Sequence, residues 1–211
     1  MNQTNYQLRL DQILSGLEGG DTPPSLLLQC CCAPCSSYVL EYLSQYFSIT
    51  VLFYNPNITS PEEYHKRAEE LFRLVSECDY VHPVTVKEGR YDPQAFFEIA
   101  KGLEDVPEGG ERCFKCYRLR MEEAARGASE GGYDYFTTTL SISPLKNASE
   151  INEIGEELSA IYETPHLPSD FKKKNGYKRS IELSAEHGLY RQNYCGCIYS
   201  QRPVADKAHQ R

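Results

Sequence analysis

The chain has 211 residues, of which 40% are hydrophobic, and its formal net charge at pH 7 is −8. This length and composition fit one globular domain with its own core, and they exclude a disordered chain. Because no apolar run approaches the roughly 20 residues that span a bilayer, and the N-terminus lacks the pattern of a signal peptide, we predict a cytoplasmic protein without a membrane segment.

Hydrophobic periodicity predicts helices that alternate with strands along the chain. Strands are predicted at residues 25–30, 49–55 and 80–86, the last weakened by Pro83, within residues 133–143, and as a short fifth strand near residues 162–167. Helices are predicted at residues 6–17, after CCAPC at residues 31–35, from Pro61 with Ser60 as N-cap, at residues 93–104 and 113–126, around Ile151–Ile161, and at residues 177–188. This alternation indicates an α/β fold with a mainly parallel sheet, in which sites form beyond the carboxyl ends of the strands.

Seven of the nine cysteines fall into three groups. The groups are Cys31, Cys32 and Cys35 in CCAPC, Cys113 and Cys116 in RCFKC, and Cys195 and Cys197 in CGC. In a reducing compartment, clustered cysteines are more often metal ligands or redox groups than structural disulfides. CCAPC follows a strand and precedes a helix, whose N-terminus favours thiolates. The RCFKC thiols share one helix face, and an extended backbone around Gly196 would direct both CGC thiols the same way.

Four thiols satisfy one zinc ion or one iron–sulfur cluster, so three remain for a second metal or a redox pair. Two other interpretations stay open from the residues alone. One is a zinc-stabilised RNA-binding module without catalysis. The other is a thiol oxidoreductase of thioredoxin type, with Cys32 and Cys35 as the active pair. Cys30 and Cys78 fall outside the three groups and fit ordinary buried thiols.

Charge is unevenly spread along the chain. Residues 171–211 have a balance of +6, which leaves −14 for the first 170 residues. Such asymmetry permits a basic face on an acidic protein, although charge runs are more often a solvated surface. We expect residues 1–200 to form a single α/β metal-binding domain with a cysteine-bearing C-terminal segment, and residues 201–211 to form a flexible tail.

Several motifs occur in a fixed order between about Leu26 and Ser200. They are CCAPC, FYNPNI, PEGGERC with CY and LR after it, DFKK, GYKRS and YRQNYCGC. In this combination the sequence resembles the cobalamin-independent epoxyqueuosine reductases, the QueH family. The resemblance implies reduction of the epoxide of epoxyqueuosine, at the wobble position of the tRNA anticodon, to queuosine. It also implies a Rossmann-like fold of the HUP/PP-loop class, a [4Fe–4S] cluster and an additional iron ion.

The resemblance also implies roles for the cysteines. It assigns the cluster to Cys31, Cys32, Cys113 and Cys116. Cys35, Cys195 and Cys197 then bind the second iron, or the CGC pair cycles as a redox-active disulfide. Some relatives have Asp at the position of Cys35, so this chain would replace an oxygen ligand with sulfur. A cluster delivers electrons one at a time, so an external electron donor is expected.

Candidate residues for the remaining roles lie in three stretches. Proton donors or neighbours of the reacting centre are predicted at Asp170, Tyr190 and Arg191. Substrate contacts are predicted at Asn55, Lys172, Lys173 and Arg191, the lysines on tRNA phosphates. Each also has a simpler structural interpretation, such as a turn at Asn55 or a solvated lysine run. We expect the protein to be a monomer.

Overall fold

The computed structural model describes residues 4–17, 19–20 and 22–201. The strands are β1 (Ser25–Gln29), β2 (Ser48–Phe53), β3 (Val84–Glu88) and β4 (Tyr135–Thr138). The α-helices are α1 (Tyr6–Leu17), α2 (Ala33–Leu43), α3 (Pro61–Glu77), α4 (Pro93–Ala100), α5 (Glu111–Gly131), α6 (Ala148–Tyr162) and α7 (Gly176–Glu186), with short 3-10 helices at Thr139–Ile142 and Ile198–Ser200.

The four strands form one sheet in the order β3-β2-β1-β4, and every strand pairing is parallel. This order matches the first four strands of a doubly wound Rossmann-type sheet, so the predicted α/β fold is confirmed. On one side of β1 the sheet continues through β2 to β3, and on its other side lies β4. The crevice at the carboxyl ends of β1 and β4 is therefore the expected position of a site.

Both faces of the sheet are covered by helices, as the apolar sequence of β1 requires. Leu26 and Leu28 pack toward α1, α2 and α3, whereas Leu27 packs toward α5 and α6. Alternate side chains of a strand point to opposite faces, so each face of β1 has its own core. Helix α7 packs on α2, and α4 packs on α5.

Several predicted elements differ from the structure. The third strand begins after Pro83, whose carbonyl accepts a hydrogen bond from the Ile49 amide at 2.9 Å, because proline has no N–H for a ladder. Instead of a fifth strand near residues 162–167, the described residues contain a single bridge between Phe136 and His166. The helix predicted to reach residue 104 ends at Ala100, before Gly102 with φ +78°.

Other local predictions are confirmed. Ser60 is the N-cap of α3 and accepts a hydrogen bond from the Glu63 amide at 3.3 Å, with Pro61 in the first turn. The predicted cysteine-rich turn, CCAPC, lies directly beyond the carboxyl end of β1. The predicted flexible tail at 201–211 falls, apart from Gln201, outside the described residues.

Candidate functional site

The CCAPC turn brings three sulfur atoms together beyond β1. The thiols of Cys31, Cys32 and Cys35 lie within 4.8 Å of one another. Cys32 is the N-cap of α2 and Pro34 lies in its first turn, so the helix start and the end of β1 together fix the turn. The Sγ atoms of Cys31 and Cys32 are 3.7 Å apart. This group, called the triad below, could bind a metal ion.

Hydrogen bonds within the triad place negative charge on one sulfur. The Cys32 and Cys35 thiols hold the pKa of Cys31 well below its ordinary value. The same hydrogen bonds to Cys31 raise the pKa of Cys32 and of Cys35, because each loses its proton less readily beside a thiolate. Within the triad, the Cys31 thiol therefore loses its proton most readily, and the thiolate is the form in which cysteine binds metals.

A second group of thiols lines a small neighbouring cavity. Cys113 and Cys116, on the first turns of α5, face Cys195 and Cys197 across a space of about 20 Å³. Burial raises the pKa of Cys116 to about 12 and also raises the pKa of Cys197. The Gly109 amide donates to the Cys113 sulfur at 3.2 Å.

Cys195 joins the two groups, because it also lines a wider cavity of about 230 Å³ with Cys31 and Cys35. The structure thus gathers all seven predicted thiols at one end of the sheet. The two cysteines left out of the predicted groups lie elsewhere. Cys30 is fully buried in the core, and Cys78 lies 3.7 Å from a ring nitrogen of His187.

The CGC segment takes the unusual φ that glycine allows and not an extended backbone. Gly196 has φ +117°, so the segment is not a simple extended strand. A Cβ atom at this position would lie 2.9 Å from Cγ1 of Ile58 and 3.3 Å from Nη1 of Arg67. Conformation and space both demand glycine here. Cys195 and Cys197 nevertheless line the same small cavity.

Helix α3 holds the segment that precedes and includes CGC. The Arg67 guanidinium donates to the carbonyl oxygens of Cys195 at 3.1 Å and Tyr194 at 3.4 Å. Its partner Glu63 accepts from Arg67 at 2.6 Å and from the Tyr190 hydroxyl at 3.0 Å. Glu70 accepts from the Tyr190 amide at 2.6 Å. Sequence analysis missed Arg67, although its spacing of four from Glu63 was a visible signal of a helical ion pair.

Arg120 and Lys146 are two further cations beside the thiols that the sequence analysis missed. Arg120 is fully buried and donates to Oδ1 of Asn55 at 2.7 Å, while its Nε has no partner among the described residues. Burial alone would lower the pKa of Arg120, but the thiols of Cys116, Cys31 and Cys195 raise it. The signal in the sequence was its spacing of four from Cys116 on one helix face.

Lys146 lies in the loop before α6 and lines both thiol cavities. Burial opposes its charge, yet neighbouring Cys195, Cys31 and Cys35 raise its pKa above the ordinary value. The buried Arg120 Nε has no partner among the described residues, and the Lys146 ammonium group is surrounded by protein. Both groups lower the stability of the fold unless negative charge lies nearby. Seven thiols among these cations fit an anionic metal–sulfur centre, because sulfur ligands and compensating positive charge are what such a centre requires.

The structure distributes the other predicted residues among different surroundings. Asn55 is fully buried, and its amide donates to the Cys30 carbonyl at 2.9 Å, so its side chain supports the site from beneath. Arg191 lines the wider thiol cavity and donates to the Ser184 hydroxyl at 3.0 Å. Tyr190 packs against α3, with the Lys66 ammonium 3.5 Å from its ring centre. A direct substrate contact for Asn55 stays a prediction.

Asp170 and the lysines after it border a third cavity, of about 770 Å³, on the far side of Lys146. Asp170 forms an ion pair with Lys172, and Lys174 forms one with Asp11 at 2.7 Å. Lys173 is exposed on the same rim. Lys146 therefore separates the thiol cavities from a lysine-rich one.

Comparisons with known proteins agree on one family. A family model described as "Epoxyqueuosine reductase QueH" matches residues 26–203. Relatives from several bacteria carry that same name. The chain is 45% identical to the one from Streptococcus pyogenes serotype M1, over 94% of this chain and 78% of the relative. It is 44% identical to the one from Staphylococcus epidermidis, over 93% and 84%, and 33% identical to the one from Thermotoga maritima, over 83% and 90%.

Proposed function

Because the chain belongs to the epoxyqueuosine reductase QueH family, and is an oxidoreductase, we propose that it reduces the epoxide of epoxyqueuosine in tRNA to queuosine. The observation that carries this proposal is the convergence of seven thiols, two buried arginines and one lysine at the carboxyl end of a parallel sheet. None of the helices in the described ranges is long and apolar enough to cross a membrane. We propose a monomer that acts on tRNA in the cytoplasm.

The proposed cofactors are a [4Fe–4S] cluster and an additional iron ion. We propose Cys31, Cys32, Cys113 and Cys116 as ligands of the cluster, and Cys35, Cys195 and Cys197 as ligands of the iron or, for the last two, as a redox-active pair. The short distances within the triad also support a division in which Cys35 shares a centre with Cys31 and Cys32. Iron content and cluster spectra of the Cys35→Ser variant distinguish these divisions, because only the second makes Cys35 a cluster ligand.

Removing the epoxide oxygen as water requires two electrons and two protons, and the electrons come originally from an external donor. When bound, the cluster supplies electrons from an external donor and the iron supplies Lewis acidity. The cavity of about 230 Å³ is the proposed pocket for the modified base. Tyr194 and the Arg191 guanidinium on its wall offer flat surfaces on which a splayed base can stack. Lys146 presents an ammonium donor to an oxygen held among the thiols.

Roles for Asp170 and Tyr190 in proton transfer remain part of the proposal. Asp170 lies across Lys146 from the thiols, so its carboxyl would act from the lysine-rich side. The Tyr190 hydroxyl donates to Glu63, which ties it to the support of the CGC segment. Lys172 and Lys173 are proposed to bind phosphates of the anticodon strand, since lysines at an open rim provide the sequence-independent part of RNA affinity.

The decisive experiment uses protein that is purified and reconstituted with iron and sulfide under anaerobic conditions. It is incubated with a strong reductant and tRNA that contains epoxyqueuosine, and the digested nucleosides are analysed for queuosine. We expect queuosine together with bound iron and acid-labile sulfide. A colourless protein that binds zinc alone and leaves epoxyqueuosine unchanged would instead support the zinc-stabilised module.

The same preparation tests the thiol oxidoreductase alternative. That alternative requires only Cys32 and Cys35, so the Cys113→Ser/Cys116→Ser double variant would keep its activity. Under the proposed function the double variant loses cluster and queuosine formation together, because two of four cluster ligands are absent.

A further inference from the structure

Arg67 is a buried arginine that connects helix α3 to the CGC segment. Its side chain is 1% exposed, and Glu63 pairs with it at 2.6 Å one helical turn earlier. The remaining donors reach the Cys195 and Tyr194 carbonyls, and the Tyr194 ring lies 5.2 Å from the guanidinium carbon. A single planar group thus holds two successive peptide units of an irregular segment.

Arg67 also faces the triad. It lines the wider cavity together with Cys31, Cys35 and Cys195. Burial works against its charge, but the thiols of Cys32 and Cys31, with Glu63, raise its pKa above the ordinary value. Its charge therefore lies beside the triad and Cys195, where it compensates negative charge on those thiols.

The Cys197 carbonyl accepts hydrogen bonds from the Ser200 amide at 3.0 Å and the Ser200 hydroxyl at 2.8 Å, but the other contacts at Cys195 and Gly196 are longer. The Asn57 amide reaches the Cys195 carbonyl at 3.4 Å, and the Thr59 amide reaches the Gly196 carbonyl at 3.4 Å. The short 3-10 helix Ile198–Ser200 therefore holds Cys197, whereas Cys195 takes part in no backbone–backbone hydrogen bond among the described residues. Its position consequently depends on the charge-assisted bonds from Arg67, which are the stronger class of hydrogen bond.

We propose that Arg67 is a positioning residue that keeps Cys195 at the junction of the two thiol cavities and supplies part of the positive charge that the thiol-rich centre requires. The inference rests on the proposed function in one respect, namely the role given to Cys195. Lysine at position 67 would keep the charge and lose the double carbonyl contact, whereas methionine would lose both. The two substitutions therefore distinguish the effect of losing the carbonyl contacts from the effect of losing the positive charge.

The first experiment measures thiol alkylation in metal-free, reduced protein with N-ethylmaleimide and mass spectrometry. Cys197 is 7% exposed and Cys30 is fully buried, so Cys197 reports on the CGC segment and Cys30 reports on the whole fold. We expect Arg67→Lys and Arg67→Met to accelerate alkylation of Cys197 about ten- to hundredfold, because charge-assisted hydrogen bonds are lost, with Cys30 still protected. Arg126→Met on α5, where the arginine pairs at the surface with Glu123 and Glu130, is the matched control and leaves Cys197 protected.

Wild-type protection of Cys197 in both Arg67 variants would overturn the proposal. If Cys30 becomes reactive as well, the variant has unfolded, and the milder Glu63→Gln replaces it with the same expectation for Cys197. Because this experiment needs neither metal nor tRNA, its result is independent of the proposed reaction.

The second experiment measures the reduction potential of the reconstituted protein. We expect Arg67→Met to have a lower potential than wild type, because a nearby positive charge favours the reduced form, and Arg67→Lys to remain near wild type. Equal potentials for Arg67→Met and Arg67→Lys would refute the charge part of the proposal. If Cys197 is released in the Arg67 variants but the reconstituted wild-type protein forms no queuosine, the proposed function is refuted and the positioning role stands.

Discussion

The CCAPC turn and the CGC segment carry thiols to the same end of the sheet, but different parts of the chain hold them there. The turn is fixed by its immediate neighbours, with β1 before it and the first turn of α2 after it. The CGC segment follows no strand and depends on α3, more than 100 residues earlier in the chain. Local contacts therefore fix the CCAPC turn, whereas tertiary contacts fix the CGC segment.

The difference shows in the backbone as well. The Cys32 N-cap has an ordinary extended conformation, whereas Gly196 has φ +117° and contacts Ile58 and Arg67 closely. A residue held by long-range bonds in an unusual conformation is easier to displace than a helix start. We expect the CGC segment to be the more mobile half of the thiol site, and the substitutions below test this asymmetry in order of decreasing effect.

The largest effect is expected when a thiol is removed from the CCAPC turn or from α5, whose thiols face the CGC segment. Cys32→Ser in the turn and Cys116→Ser on α5 should each lose the colour of the reconstituted protein and lower turnover by more than about a hundredfold, because a direct ligand contributes more than its outer-shell partners. Iron, sulfide and queuosine are measured together. Cys78→Ser, outside the three groups, serves as the control and keeps all three. A coloured, active Cys116→Ser protein would contradict the ligand assignment.

Gly196→Ala tests the CGC backbone alone. Its Cβ atom would meet Ile58 at 2.9 Å, so strain and overlap should together cost about 1–3 kcal/mol, enough to displace the segment and lower turnover about tenfold or more. The matched control is Gly132→Ala, where φ is +66° and nothing lies within 4 Å of the new Cβ atom. That variant should lose about 1 kcal/mol of stability in urea unfolding and keep its turnover. Equal turnover in both variants would show that the CGC backbone conformation is not required.

The acid sensitivity of the fold should come from neither thiol region but from His166. Its ring lies under Gly155 of α6, and burial lowers its pKa to about 3, while both ring nitrogens lack partners among the described residues. The unfolded chain takes up a proton below pH 6.5 that the folded protein does not, so stability falls as pH falls. Between pH 6.5 and 5 this amounts to about 2 kcal/mol.

Urea unfolding of the metal-free protein at these two pH values, compared with His166→Gln, checks the expectation. The glutamine variant should lack this part of the pH dependence, because its side chain does not titrate. Parallel loss of stability in the two proteins would assign the acid sensitivity to other groups.

The smallest effect is expected at the lysine-rich rim. Lys173→Ala should weaken tRNA binding by about 1 kcal/mol and reduce its salt dependence by about one counterion, without changing the colour of the protein. Filter binding or anisotropy over a range of salt concentrations measures both quantities. Lys87→Ala, on the opposite edge strand β3, is the control and should bind tRNA as wild type does. An unchanged salt dependence of tRNA binding in Lys173→Ala would show that Lys173 is a solvated surface residue and does not bind a phosphate.

Elements whose causes are local could be predicted from the sequence. The alternation of strands and helices indicated the parallel sheet, and Ser60 with Pro61 marked the start of α3. The cysteine spacings indicated both the turn after β1 and the shared face on α5. These predictions succeed because side-chain periodicity and helix capping involve residues only a few positions apart.

Only the tertiary structure decided which distant residues serve those thiols. Arg67 and Arg120 look like ordinary charged residues of surface helices until α3 and α5 converge on the end of the sheet. Asn55, predicted to contact the substrate, is buried, and its side-chain amide is bound by Arg120 and the Cys30 carbonyl. By itself the sequence determined the number, spacing and local setting of the sulfur atoms. Their common centre, and the buried charges around it, followed from packing between segments that no local pattern connects.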